Sequence, residues 1–252
     1  MCYDEPQKSR IELTMNRLCL LFASVFMLTF CMLAKAQTMK PNLKFGSITT
    51  DELKMSSYPA DANAPAVTLC KITDVDYEVM SGDFKIVYDV RVKIKVLKSD
   101  GKDYANVEVP YINDLSDITA RENVNAIKAT AYHLENDKVV KTNMTKDMIF
   151  TERLDKQNML LKFTVPQVKV GTVIEYKYRL ESSLYYTIND WYAQNSIPTL
   201  YAEYHLVVPE YFKFSIEETG MSPLKKTTNT TPLTFFIGAD NFYCLRHLKY
   251  TP

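Results

Sequence analysis

Phe84-Lys85-Ile86-Val87-Tyr88-Asp89-Val90-Arg91-Val92-Lys93-Ile94-Lys95-Val96-Leu97 is the stretch from which the fold is read. Phe84, Ile86, Tyr88, Val90, Val92, Ile94 and Val96 fall on every second residue, while Lys85, Asp89, Arg91, Lys93 and Lys95 take most of the other parity. A period of two belongs to a strand with one face in a core and the other in water. Each of those apolar side chains contributes about 1.5–3 kcal/mol when fully buried, before ordering entropy is subtracted, so this strand is expected to anchor a sheet.

Working outward, Ala66 to Val79 reads as its hairpin partner across Ser81-Gly82-Asp83. Ser99-Asp100-Gly101-Lys102 is a turn, Tyr104 to Tyr111 a strand, and the polar run Asn113 to Asn123 an exposed loop. The β pattern resumes from Val124 to Leu134 and turns at Glu135-Asn136-Asp137-Lys138 into Val139 to Thr142. Thr145 to Phe150 reads as a short helix or an irregular link, and Met159 to Val165 alternates again. Gly171 marks a tight turn, after which Ile174, Tyr176, Tyr178 and Leu180 share one parity. Asn189, Asp190 and Pro198 place an aromatic-rich loop before a strand from about Leu200 to Val208. Beyond Phe212 the pattern fades. Phe214 to Ile216 continues a strand, Ser222 to Pro232 is loop-like, and Leu233 to Ile237 is one last strand. At least eight short strands with turn signals between them predict an all-β protein, an antiparallel β-sandwich or two packed sheets, with only short helices beyond an N-terminal signal helix.

The first 36 residues differ in kind. Arg17 precedes an apolar run from Leu18 to Leu33, and Ala34-Lys35-Ala36 supplies the small residues that a signal peptidase reads. A secretory signal ending at Ala36 is expected, with translation starting at Met15 and the product in the periplasm or at the cell surface. The run is shorter than the roughly 20 residues of a membrane span, so membrane contact is expected only if the signal stays uncleaved. Phe30 is too bulky for a lipobox ahead of Cys31. The expected division is 1–36 signal, 37–65 an arm with one helical turn capped by Thr50 or Asp51, 66–218 the β-sandwich, and 219–252 a tail.

Thirty basic and thirty acidic residues cancel, so no nucleic-acid partner is expected. Six glycines against 17 tyrosines and 12 phenylalanines argue against phosphate loops and for aromatic-packed sheets. Only Cys70 and Cys244 follow the signal, too few for a disulfide framework.

Several dispersed elements occur in order: the arm from Lys44-Phe45-Gly46 to Tyr58-Pro59, Lys93-Ile94-Lys95-Val96-Leu97 with Gly101, Asn106-Val107-Glu108-Val109-Pro110-Tyr111, Val168 to Tyr176, and Asp190-Trp191-Tyr192 with Pro198. Together they resemble the bacterial domain of unknown function 3857, common in exported Bacteroidetes proteins, over roughly residues 43–215. The resemblance implies an all-β module that usually precedes a transglutaminase-like domain, where a papain-like Cys-His-Asp triad carries the chemistry. A chain stopping at Pro252 is then expected to be a naturally short member or a frameshifted product.

Within the chain, Cys70 followed by His133 or His205 and then Asp240 has the order of a thiol triad. Cys70 lies in a strand pattern rather than at a helix N-terminus, so a buried structural thiol is the simpler reading. Cys244 and His247 make half of a zinc site with no second pair, so neither metal nor cofactor is expected. His133 and His205 each sit on a strand parity, and Glu175 and Asp190 have no partner placed by sequence. Tyr185, Tyr186, Trp191 and Tyr192 are the candidate binding residues, suited to a glycan, a peptide or a neighbouring domain. The expected function is a non-catalytic exported module that packs against or presents a partner. The alternatives are an accessory part of a transglutaminase-like acyl-transfer or peptidase system, and a carbohydrate-binding domain.

Overall fold

The computed structural model describes residues 42–117, 119–209, 212, 214–220, 225–228, 232–238 and 243–250. The chain divides into two units, Met1–Lys40 and Pro41–Pro252, and all described residues belong to the second. Residues 1–36, expected to be a signal, and Asp240 lie outside them.

Phe84–Leu97 supplies an interior strand of the largest sheet among the described residues. β1 (Ala66–Met80) and β2 (Asp83–Val96) form a long hairpin. β2 then pairs with β8 (Val173–Ser182), β8 with β4 (Glu122–Glu135), and β4 with β5 (Lys138–Asn143). On the other side β1 pairs in parallel with β11 (Tyr201–Val207), the one departure from antiparallel order among the described pairs. β14 (Pro232–Gly238) and β13 (Lys225–Thr228) complete this eight-stranded sheet. A three-stranded sheet of β3 (Asn106–Ile112), β7 (Asn158–Thr164) and β6 (Ile149–Arg153) packs on its inner face. In a further sheet, β15 (Tyr243–Tyr250) pairs with β12 (Phe214–Gly220), β10 (Trp191–Tyr192) and β9 (Thr187–Ile188). The protein is therefore all-β with packed sheets, as the alternation predicts.

The inner core takes Ile86, Tyr88, Val90, Val92, Ile94 and Val96 of β2, Ile174 and Leu180 of β8, and Val107, Val109, Leu161 and Phe163 of the small sheet. Phe163 meets Tyr176 edge to face, ring centres 5.7 Å apart.

Three local expectations need correcting and one, the short helix or link at 145–150, is met in part. Lys93 and Lys95 are not on a wet face: their exposures are 1% and 0%. The arm folds over that end of the outer face and builds a second core of Leu53, Tyr58 and Ala64 on Val67, Leu69, Leu97, Tyr132 and Val173. The arm's helix, α1 (Thr50–Lys54), is capped by Thr49, because only Thr49 has a glutamate three residues on to close a capping box. Residues 145–150 hold a 3₁₀ turn, Lys146–Met148, and then the start of β6, an exposed edge strand with too little burial to show alternation. In the 113–123 loop Asp114 is buried, and hydrogen bonds from Ser116 and Gln157 hold its carboxyl down to about 2.

In the segment expected as a tail, the strand predicted from Leu233 to Ile237 is β14, and β13 and β15 are further strands, β13 falling where a loop is expected. β13 is a Lys/Thr edge strand, which carries no apolar alternation to read.

Candidate functional site

Between the inner face of the large sheet and β3 the two layers leave a cleft of about 340 Å³. Its floor is made by inward residues of β2 and β8, Tyr88, Val90, Tyr178 and Leu180, with Tyr204 of β11. Val109 and Pro110 of β3 form one wall, and the 189–195 loop forms the lip. The loop is tied down at two points: the Asn189 N–H donates to Tyr88 Oη at 3.0 Å, and Lys71 Nζ donates to the Tyr192 carbonyl at 2.7 Å.

Trp191 belongs to the floor and not to the lip. Its exposure is 5%, its indole N–H donates to Thr73 Oγ1 at 3.0 Å, its ring packs 5.1 Å from that of Tyr204, and Lys71 Nζ lies 5.8 Å from its centre. A ring so enclosed cannot serve as a stacking platform. Tyr192, its neighbour in β10, points the other way and is 41% exposed.

Tyr185 and Tyr186 stand elsewhere, near the hairpin end of β1. Tyr77 donates its hydroxyl to the Tyr185 carbonyl at 2.8 Å and stacks on Phe212 at 4.9 Å. Phe212 meets Phe84 at 5.8 Å and Tyr185 at 6.1 Å, and Tyr185 meets Tyr186 edge to face at 5.6 Å. Since Thr73 and Tyr77 are four residues apart on β1, the two aromatic groups are separated by about 13 Å of strand. The four residues singled out by sequence thus divide into a buried tryptophan, one lip tyrosine and an exposed tyrosine pair.

The thiol and imidazoles do not converge. Cys70 is 4% exposed on the outer face, and burial pushes its thiol up to about 12. His133 is buried on β4, three strands away, on the parity of the core residues Ala129 and Ala131; its Nε2 lies 3.0 Å from Glu135. His205 is on the outer face, four residues along β11 from the level of Cys70, or about 13 Å. Its two ring nitrogens face Asp74 at 2.6 Å and Glu203 at 2.5 Å, a geometry that an imidazolium satisfies at both ends. Asp74 also binds Arg91 at 2.7 Å, and Glu203 accepts from Tyr201 at 2.8 Å. Among the described residues no group of three His, Cys, Asp or Glu could hold a metal ion. Cys244 and His247 lie on β15.

The sequence reading missed one polar cluster. Lys93, Lys95, Glu52 and Glu175 are all buried under the arm, at 1%, 0%, 0% and 3% exposure. Glu175, for which the sequence places no partner, accepts through Oε2 from the Gly46 N–H at 2.8 Å and from Tyr132 at 3.2 Å. Lysines alternating with Ile94 and Val96 look the same on paper whether the far face meets water or an arm.

Residues 82–234 match the model of the family described as "Domain of Unknown Function with solved-structure structure (DUF3857)". The chain belongs to this family. The match runs from β2 into the start of β14 and so includes most of the cleft lining, Tyr185, Tyr186 and Tyr192, and Lys93, Lys95, Tyr132 and Glu175 under the arm, but not β1. Among solved structures, this DUF3857 chain is similar to a "putative protease" from Parabacteroides distasonis, with a TM-score of 0.56 at 11% identity, over 72% of this chain and 40% of that one. The chain thus spans about two fifths of that protein, and at this identity the likeness is one of fold. An M1 zinc metallopeptidase from Deinococcus radiodurans gives a TM-score of 0.32 at 8% identity, over 77% of this chain and 45% of that one. Curated proteins yielded no match.

Proposed function

We propose that this DUF3857 chain is a non-catalytic exported module that packs against a partner protein domain through the exposed Tyr185–Tyr186 end of its large sheet. The observation that carries the reading is the bracing of that pair. At 42% and 50% exposure the two rings are held by Tyr77, Phe212 and each other, so a partner gains aromatic contact area at little ordering cost. Val79, 64% exposed on β1, adds apolar surface at the same hairpin end. The chemistry-bearing side chains support a structural role as well, since Cys70 is a buried protonated thiol and His205 is held between two carboxylates. Export is supported by the Leu18–Leu33 run and Ala34-Lys35-Ala36. The partner expected is a transglutaminase-like domain with its own Cys-His-Asp triad, on another chain or on a continuation of this one.

Photo-crosslinking from p-benzoylphenylalanine placed at Tyr186, with a control at Glu108 on the small sheet, tests the reading in the intact cell envelope. A discrete adduct from Tyr186 alone, containing a papain-like triad domain, is the expected result. Adducts equally frequent at both positions, or a Cys70→Ala protein that loses its cellular activity while remaining folded, would overturn it.

A further inference from the structure

Three of the stretches that carry the family likeness, the arm itself, Lys93–Leu97 and Val168–Tyr176, meet on the outer face, away from both aromatic groups. Lys93 Nζ donates to the carbonyls of Asn42 at 2.7 Å and Ser47 at 3.0 Å and to Glu52 Oε1 at 3.2 Å. Lys95 Nζ donates to the carbonyls of Leu53 at 2.6 Å and Gly171 at 2.5 Å. Gly46, at φ +81°, turns its N–H onto Glu175. The side chain of Glu52 also accepts from the backbone N–H of Asn42 and of Thr49.

We infer that the arm, residues 42–64, is a strap that lifts from the outer face as one unit while the sheets stay folded, with Lys93, Lys95, Glu52 and Glu175 as its catch. The inner core contains no residue of the arm, so lifting leaves it intact. The apolar part of the seal from the arm is mainly Leu53 and Tyr58. Lifting forfeits their burial but returns four buried ionic groups to water, which offsets part of the loss. Opening is therefore a sub-global event that costs less than unfolding the sheets.

Protonation sets the strength of the catch. The groups facing Lys95 and Glu175 are Glu52 of α1, Lys93 of β2, Tyr132 of β4, the Gly46 N–H and the two carbonyls, with the Cys70 thiol of β1 alongside. Burial lowers the Lys95 ammonium to about 8 and raises the Glu175 carboxyl above its usual range. The lifted strap restores Lys95 to its ordinary 10.5, so between about 8 and 10.5 the lifted state holds more protons and docking tightens as pH rises. A neutral amine still satisfies both carbonyls with its two N–H groups. For Glu175 the docked state holds more protons just above the ordinary carboxylate range, so docking tightens as pH falls into that range. The strap is loosest between the two windows, where both groups are charged. Across its window Lys95 taken alone changes the opening constant by up to about 300-fold, while the Cys70 thiol, held up to about 12 in the docked state, works against it above about 9.

Cys70 reports the motion. Its ladder partner is Lys93, it feels the charge of Glu52, and it is closed to reagents while the strap is down. Labelling the full chain with a thiol reagent, mapping modification at Cys70 by peptide mass spectrometry and dividing the rate by the thiolate-to-thiol ratio of an ordinary cysteine measures opening in the native state with the thiol's own proton release removed. The expected result is a weak dependence on urea, a rate fall of tenfold or more from pH 8 to 10, and loss of that fall in Lys95→Met. A corrected rate that is flat over this range, or labelling with the full urea dependence of global unfolding, overturns the inference. Both outcomes are readable in the wild-type protein alone and independent of any docking at Tyr186.

Discussion

Replacing Trp191 separates a packing role from a binding one. Trp191 is the only tryptophan of the chain, it is 5% exposed, and it touches Tyr204, Lys71 and Thr73. Trp191→Ala removes a side chain that buries most of its area, and truncations of this kind cost about 3–5 kcal/mol. Trp191→Phe keeps most of the volume but withdraws the indole N–H from Thr73, which is itself 3% exposed, and should cost about 1 kcal/mol for that bond plus a smaller packing loss. Urea unfolding followed by far-ultraviolet circular dichroism gives both differences without relying on the fluorophore being removed. In the wild type the same tryptophan should emit at short wavelength and resist quenching by acrylamide. A Trp191→Ala protein within about 1 kcal/mol of wild type, together with ready quenching, would show the ring to be an exposed platform and refute the packing argument.

Three further outcomes follow from the same geometry. A Cβ on Gly101 would sit 2.2 Å from the Pro65 carbonyl oxygen, the acceptor for the Leu97 and Lys98 N–H groups; Gly101→Ala should cost about 1–3 kcal/mol, seen as a lower melting temperature in calorimetry. Lys93→Met and Glu52→Gln each leave one buried charge without its partner and should each cost about 3–5 kcal/mol, while the double variant should lose much less than the sum in a double-mutant cycle; additivity would break the claim that the two act as a pair. His205→Ala, by contrast, should cost about 1–2 kcal/mol: Asp74 and Arg91 are each about a third exposed and screened by solvent, while the buried Glu203 loses one partner and keeps the Tyr201 hydroxyl.

The fold was legible because the central strands are half-buried ribbons of good length. β2 and β8 alternate with one exception each, Val87 and Val173, and their paired residues, from Ile86 with Ser182 to Lys95 with Val173, carry the pattern across the sheet. Elements at the edges were not legible, and the reason is burial. In β6 only Ile149 meets the core, and β13 offers lysine and threonine, so neither presents a face to read. The aromatic site was half legible. Tyr185, Tyr186 and Tyr192 are exposed, but whether Trp191 faced solvent or the sheet depended on Thr73 and Tyr204, more than 100 residues before it and 13 after. Lys93 and Lys95 misled for the opposite reason: periodicity tells which residues share a face, and says nothing of what covers it.

That last point bears on why buried lysines stand in the central strand at all. Two faces of one sheet are both sealed here, the inner by the small sheet and the outer, at one end, by the arm. With apolar residues on both parities, β2 could slip by one position against β1 and β8 and still bury its side chains. Lys93 and Lys95 remove that freedom, because a one-residue slip would drive two ammonium groups into the layer of Val107, Leu161 and Phe163, where no carbonyl or carboxylate of the arm could meet them. The correct register brings them instead to Asn42, Ser47, Glu52 and Leu53, so the same two side chains that hold the arm also fix the pairing of the strands beneath it. Stability is the weaker reason for such a cluster, and uniqueness of register together with a releasable arm is the stronger one.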